Sequence, residues 1–114
     1  MKHNTKKLLW DVVDSCNAIS EFIDKIPLKD YLADRKLRDA VERELIIIGE
    51  ALSMAEKNLP DLSNHITDLK KIISFRHVLV HGYGEVKDEL VWSIVKDNLP
   101  MLREESKRFL DALS

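Results

Sequence analysis

Asp34-Arg35-Lys36-Leu37-Arg38-Asp39-Ala40-Val41-Glu42-Arg43-Glu44-Leu45 runs without a break into Ile46-Ile47-Ile48-Gly49-Glu50-Ala51-Leu52. Leu37, Val41, Leu45, Ile48, Leu52 and Ala55 recur at steps of three and four, which lays one apolar stripe along a helix. Asp34 is a good N-cap, and Pro60 follows soon after Asn58, so the helix is expected over this span. Arg38, Glu42 and Arg43 are expected to face water. Gly49 inside the helix costs about 1 kcal/mol relative to alanine. Close approach by a neighbouring helix would explain it.

The same spacing extends to either side. Leu8, Leu9, Val12, Val13, Cys16, Ile19, Phe22, Ile23 and Ile26 predict a first helix from about Thr5 to Lys25, ended by Pro27. Ser63-Asn64 opens a third helix through Ile66, Leu69, Ile72, Ile73 and Leu79, and Gly82 stops it where a left-handed residue is tolerated. Asp88 caps a fourth through Leu90, Val91, Ile94 and Val95. Pro100 then kinks or breaks the chain before a short last helix carrying Met101, Leu102, Phe109 and Leu110. Glycines and prolines number only three each, and no period-two alternation develops. The fold class is therefore all-α, an antiparallel four- to five-helix bundle with short connections. Nothing divides residues 1–114 into more than one domain.

A chain of 114 residues is long enough to bury roughly two thirds of its unfolded surface. Its 45% hydrophobic and 33% charged content is that of a soluble globular protein. No apolar run approaches the ~20 residues of a membrane span. The single cysteine, Cys16, lies on the apolar face of the first helix, and no internal disulfide is possible. A reducing cytoplasm is expected. Eighteen basic against twenty acidic residues give a net charge of −2, which argues mildly against a dedicated nucleic-acid binder. Lys70, Lys71, Arg76 and His77 nevertheless form a local cationic cluster.

Chemistry concentrates in Arg76-His77-Val78-Leu79-Val80-His81-Gly82-Tyr83. An imidazole both takes and gives protons near neutrality, and a guanidinium presents a planar charged fork to a phosphate. The octet lies where a helix meets the Gly82-Tyr83-Gly84 turn, a place suited to a site. The five-residue step from Arg76 to His81 turns about 140° around a helix. The two converge only if the helix ends there, if the arginine reaches around, or if a second chain contributes. On residue types alone the blander assignment is favoured: His81 caps helix carbonyls, Arg76 is a surface ion-pair partner and Tyr83 an edge aromatic. His77 and His81 stand at i, i+4, a metal-ligand spacing. No glutamate follows the first histidine, and neither His65 nor His3 has ligand spacing to the pair. No metal or other cofactor is expected. Trp10 and Trp92 lie among aliphatics and are expected in the core or a dimer interface. Glu50, flanked by isoleucines, is expected to be partly buried. It either orients Arg76 or His81 or pairs with a lysine.

The Arg-x4-His-x-Tyr pattern of Arg76, His81 and Tyr83 resembles the HepT-like branch of the HEPN superfamily. So do the Arg38 to Leu45 block running into Ile48-Gly49-Glu50-Ala51, and Val91-Trp92-Ser93-Ile94-Val95 before Asn98-Leu99-Pro100. The resemblance covers nearly the whole chain. It implies a metal-independent endoribonuclease, the toxin of a toxin–antitoxin pair, with RNA as substrate and Arg76 and His81 as the catalytic pair. It also implies a homodimer formed through the motif-bearing helices, and Tyr83 as the residue to which a nucleotidyltransferase antitoxin adds AMP. Family members most often carry asparagine where this chain has His77, which with Glu50 is assigned a supporting role. The alternative is a catalytically silent helical module that binds nucleotide and a nucleotidyltransferase partner. The apolar surface of Val78, Leu79 and the second helix independently favours a symmetric homodimer with the two octets facing each other.

Overall fold

The computed structural model describes residues 4–82, 84 and 86–113. Among them lie six α-helices: α1 (Thr5–Phe22), α2 (Leu28–Ala33), α3 (Arg35–Asn58), α4 (Leu69–His81), α5 (Asp88–Asp97) and α6 (Leu99–Ala112). No strand occurs among the described residues. The all-α expectation holds, with one short helix more than the periodicity revealed.

The start of α1 is set by Asn4, whose side chain accepts from the Lys6 N–H at 2.8 Å. Asp34 does the same for α3, accepting from the Leu37 N–H at 3.0 Å. Capping of this kind satisfies backbone donors that the helix itself leaves open. The α3 stripe then does its work: Val41, Leu45, Ile48, Leu52 and Ala55 are all buried. Each larger member contributes roughly 1.5–3 kcal/mol by leaving water. They face Leu9, Val12, Cys16 and Ile19 of α1 in one continuous core. The Asn58 amide donates to the Thr5 hydroxyl at 3.2 Å, so the end of α3 lies beside the start of α1 and the two run antiparallel. Helix α4 packs on α3, α6 packs on α1, and α5 bridges α2 and α6.

The start of α4 is pinned to α6. Both the N–H and the hydroxyl of Thr67 donate to the Glu105 carboxylate, at 3.0 and 2.8 Å. The Asn98 amide donates to Asp68 at 2.8 Å.

Several boundaries differ from the sequence expectation. Helix α1 ends at Phe22 rather than Lys25, and the chain reverses there through Lys25 at φ +59°. Phe22 is consequently exposed rather than part of the core, as are Leu90 and Met101. Helix α2 was not expected, because six residues are too few to establish a period. Ser63-Asn64 belongs to a 3-10 turn over Leu62–Asn64, and the third long helix begins only at Leu69. Gly82 ends α4 as expected but at φ −92°, without using left-handed backbone. Asp88 is the first residue of α5, with Lys87 as its cap. Pro100 sits in the first turn of α6, where its missing N–H costs nothing. The last helix is fourteen residues long rather than short.

Candidate active site at the end of helix α4

Arg76 lies in the middle of the α3–α4 contact, and Gly49 puts it there. A Cβ placed on Gly49 would overlap the Arg76 Cβ and come within 2.8 Å of its Cγ. The missing methyl lets the arginine stem lie directly on the α3 backbone, which accounts for a glycine in mid-helix. The guanidinium then emerges partly exposed beside Glu50, with Nη2 3.9 Å from Oε2. That separation is too long for a hydrogen bond, and the pair is largely solvated. Arg76 Nε is buried with no hydrogen-bond partner among the described residues. The cation is thus positioned by packing, and its one ion-pair contact among the described residues is the long one to Glu50. Glu50 itself is exposed rather than partly buried, its side chain 51% accessible. Of its two expected roles, the contact it makes is with Arg76.

His81 is the last residue of α4 and, like His77, is exposed. The two imidazoles meet: their ring centroids are 4.6 Å apart at an interplanar angle of 50°. Side chains on a helix lean toward its N-terminus, which brings His81 back over the turn bearing His77. Arg76 and His81 are not brought together in the same way. Both belong to one continuous helix, and five steps separate them by about 140° around its axis and roughly 7.5 Å along it. The single chain therefore presents two separate groups, a guanidinium against α3 and an imidazole pair at the helix end. Tyr83 and His3 lie outside the described residues. No group of three or more potential metal-ligating His, Cys, Asp or Glu residues occurs among the described residues.

Next to Glu50, the outer face of α3 holds a shallow depression of about 440 Å³ lined by Asp39, Glu42, Arg43, Ile46, Ile47 and Glu50. Half-buried isoleucines among charges give this face both apolar and ionic character. Val78 on α4 is also exposed.

A second cluster anchors the chain just beyond the octet. Arg38 does not face water. It donates from Nη1 to the Leu32 carbonyl at 2.5 Å, and its Nε lies 3.4 Å from Asp88 Oδ2. It thereby ties α2, α3 and the first turn of α5. Glu42 is also partly covered, and burial, reinforced by the negative charges of Asp88 and Asp39, raises its carboxyl above the usual range. Tyr31 is fully buried with its ring 5.0 Å from Trp92. Burial first, then Glu42 and Asp88, push its phenol well up. Trp92 is thus at the core edge as expected, whereas Trp10 is 51% exposed, with the Lys7 ammonium 4.5 Å from its ring centroid. The one signal for Arg38 in the sequence was its place beside Leu37 and Val41, on the flank of the buried stripe.

The ribonuclease HepT-like family matches residues 12–109, which take in the whole octet. The chain belongs to this family. Among HepT-like relatives, the protein of Thermococcus cleftensis named "Probable ribonuclease HepT" is 33% identical over 106 residues, covering 90% of this chain and 93% of its own. The protein of Methanocaldococcus jannaschii named "Putative RNase MJ1380" is 30% identical over 104 residues, covering 91% and 94%. No solved structure gives a significant match. Among the described residues of this HepT-like chain, no helix is long and apolar enough to cross a membrane.

Proposed function

We propose that this HepT-like chain is a metal-independent endoribonuclease that cuts RNA by attack of the ribose 2′-hydroxyl. The observation that carries the reading is Arg76 within a family match spanning the octet. Its stem is seated on Gly49, and the partly exposed end of the guanidinium makes only a long 3.9 Å contact to Glu50 among the described residues, which leaves it able to meet a phosphate. Arg76 would hold the scissile phosphate and offset the charge that builds on its oxygens. His81 would take the 2′-hydroxyl proton, and a second imidazole would give one to the departing 5′-oxygen. The products are a 2′,3′-cyclic phosphate and a 5′-hydroxyl end.

One imidazole cannot be base and acid at the same moment. The divergence of Arg76 and His81 around α4 supports a composite site, with His81 of a second copy supplying the other proton. The exposed Val78 and the α3 depression with Ile46 and Ile47 suit a symmetric homodimer with the two octets facing each other. By the same family likeness, the chain acts in the cytoplasm as the toxin of a toxin–antitoxin pair, and Tyr83 accepts AMP from a nucleotidyltransferase antitoxin. An added phosphate there would compete with RNA for Arg76. The same divergence also favours the second reading, a silent module that binds nucleotide and the nucleotidyltransferase.

Purified protein is expected to cut single-stranded RNA in excess EDTA and to spare RNA with methylated 2′-hydroxyls. Arg76→Ala and His81→Ala should each abolish cutting while circular dichroism stays helical. Cutting that persists in His81→Ala refutes the chemistry. An unaltered chain that is inert but binds nucleotide establishes the silent module. Light scattering that gives a monomer mass removes the composite site.

A further inference from the structure

The contact between His77 and His81 is not consumed by the mechanism above, which uses only His81. Among the described residues, these two exposed imidazoles one turn apart meet each other. Their separation is informative. Two imidazoles bound to one ion at about 2.0–2.1 Å, with an angle at the metal near 90–110°, place their ring centroids roughly 4.5–5 Å apart. The rings stand 4.6 Å apart. Both are on the last turn of a helix whose buried side is fixed by Leu69, Ile72 and Phe75. The two rings are thus within the separation that a shared ion requires. Imidazole suits zinc, copper, iron and nickel.

A catalytic or structural centre takes three or four protein ligands, and a third is not assembled among the described residues. A two-ligand chelate with water in the remaining positions needs none. We propose that His77 and His81 together form a two-imidazole site for a divalent ion of the zinc class, whose occupancy withholds His81 from proton transfer. The second half rests on the ribonuclease reading; the binding does not. The ion is then an inhibitor rather than a cofactor, and its effect is opposite in sign to that of a catalytic metal. In a metal-containing medium the enzyme would be restrained, and a chelator would release it.

The test is titration of the full chain with zinc chloride, read by calorimetry and by the ring-nitrogen shifts of the histidines. His3→Ala serves as the background, so that this further imidazole contributes nothing. One ion per chain is expected, with ring shifts at His77 and His81 and none at His65, whose ring lies on Phe109. His77→Ala and His81→Ala should each weaken binding at least tenfold. Both side chains are exposed, so their truncation leaves the core intact, as circular dichroism would verify. Undiminished zinc binding in His77→Ala, or shifts confined to His65, overturns the site. RNA cutting that continues unchanged with both rings shifted by zinc overturns the inhibitory half. Since binding is read without RNA, an inert enzyme leaves the site itself testable.

Discussion

Replacing Gly49 by alanine sets two physical effects against each other, with opposite signs. Helix propensity alone favours the substitution by about 1 kcal/mol, because glycine loses more backbone freedom on folding. The packing disfavours it. The new methyl would overlap the Arg76 Cβ, come within 2.8 Å of Cγ and within 3.4 Å of the Ile72 carbonyl oxygen. The first and last of these are a stem atom and a backbone atom, neither the far end of a flexible chain. Relief requires α4 to move off α3, and overpacking of this kind costs about 1–3 kcal/mol, occasionally more. With the methyl inside contact distance of three atoms, the upper part of that range applies. The net expectation is a loss of about 1–2 kcal/mol, or a fall in melting temperature of roughly 3–8 °C for a chain of this size. Thermal and urea unfolding followed by helical circular dichroism would measure it. RNA cutting should fall further than stability does, since the displaced atoms are those that seat the guanidinium. A Gly49→Ala protein more stable than the parent would show that propensity wins and that α4 does not lean on α3 through Arg76.

Three further outcomes follow from the anchoring cluster and the core. Glu42 has a folded-state pKa raised above its unfolded value, mainly by burial, so its contribution is most favourable in acid and is lost as pH rises through the folded value. Glu42→Gln should therefore raise the melting temperature at pH 7 by roughly 1–3 °C, with the gain vanishing near pH 4; an equal gain at both pH values refutes the linkage. Arg38→Leu leaves the Leu32 carbonyl and Asp88 without their donor, for an expected loss of about 2–3 kcal/mol, measured by urea unfolding; Arg38→Lys should recover only part of it. Burial pushes the Cys16 thiol up to about 12, so a thiol reagent at pH 8 should label the folded chain negligibly and the guanidinium-unfolded chain fully.

Helix α3 was legible because it carries its own start, stripe and stop, Asp34 with Leu37 to Ala55 before Pro60; of α4 the stripe and the stop at Gly82 were legible, but its start at Leu69, which has no side-chain cap, was not. Gly49 was legible too, as a vacancy waiting for a neighbour, though not as the seat of Arg76 in particular. What escaped was whatever depends on tertiary neighbours. Arg38 and Glu42 sit on the flank of a stripe, and only α2 and Asp88 decide that they are covered. Helix α2, with six residues after Pro27, has no period to show. Glu50 shares its face with Ile46 and Ile47, but that face of α3 is an open depression, so the carboxylate stays exposed. Trp10 resembles a core residue by type, but it stands opposite the buried side of α1. In the octet, residue identity and spacing were plain, while the meeting of His77 with His81 needed the lean of side chains along α4.

The two tethers at Thr67 and Asp68 make α4 a cantilever. Its root is bolted to α6 by charge-assisted hydrogen bonds, its midpoint rests on α3 at Gly49, and its tip carries both imidazoles into solvent. In a beam held at one end, deflection grows with distance from the support. Amide exchange should therefore quicken from Ile72 toward Leu79 as opening becomes more local. Anything that grips the tip, whether an ion, an RNA phosphate or a second copy, adds a support beyond the last one the fold supplies, the partly buried Leu79. It would then stiffen a helix whose other contacts it never touches.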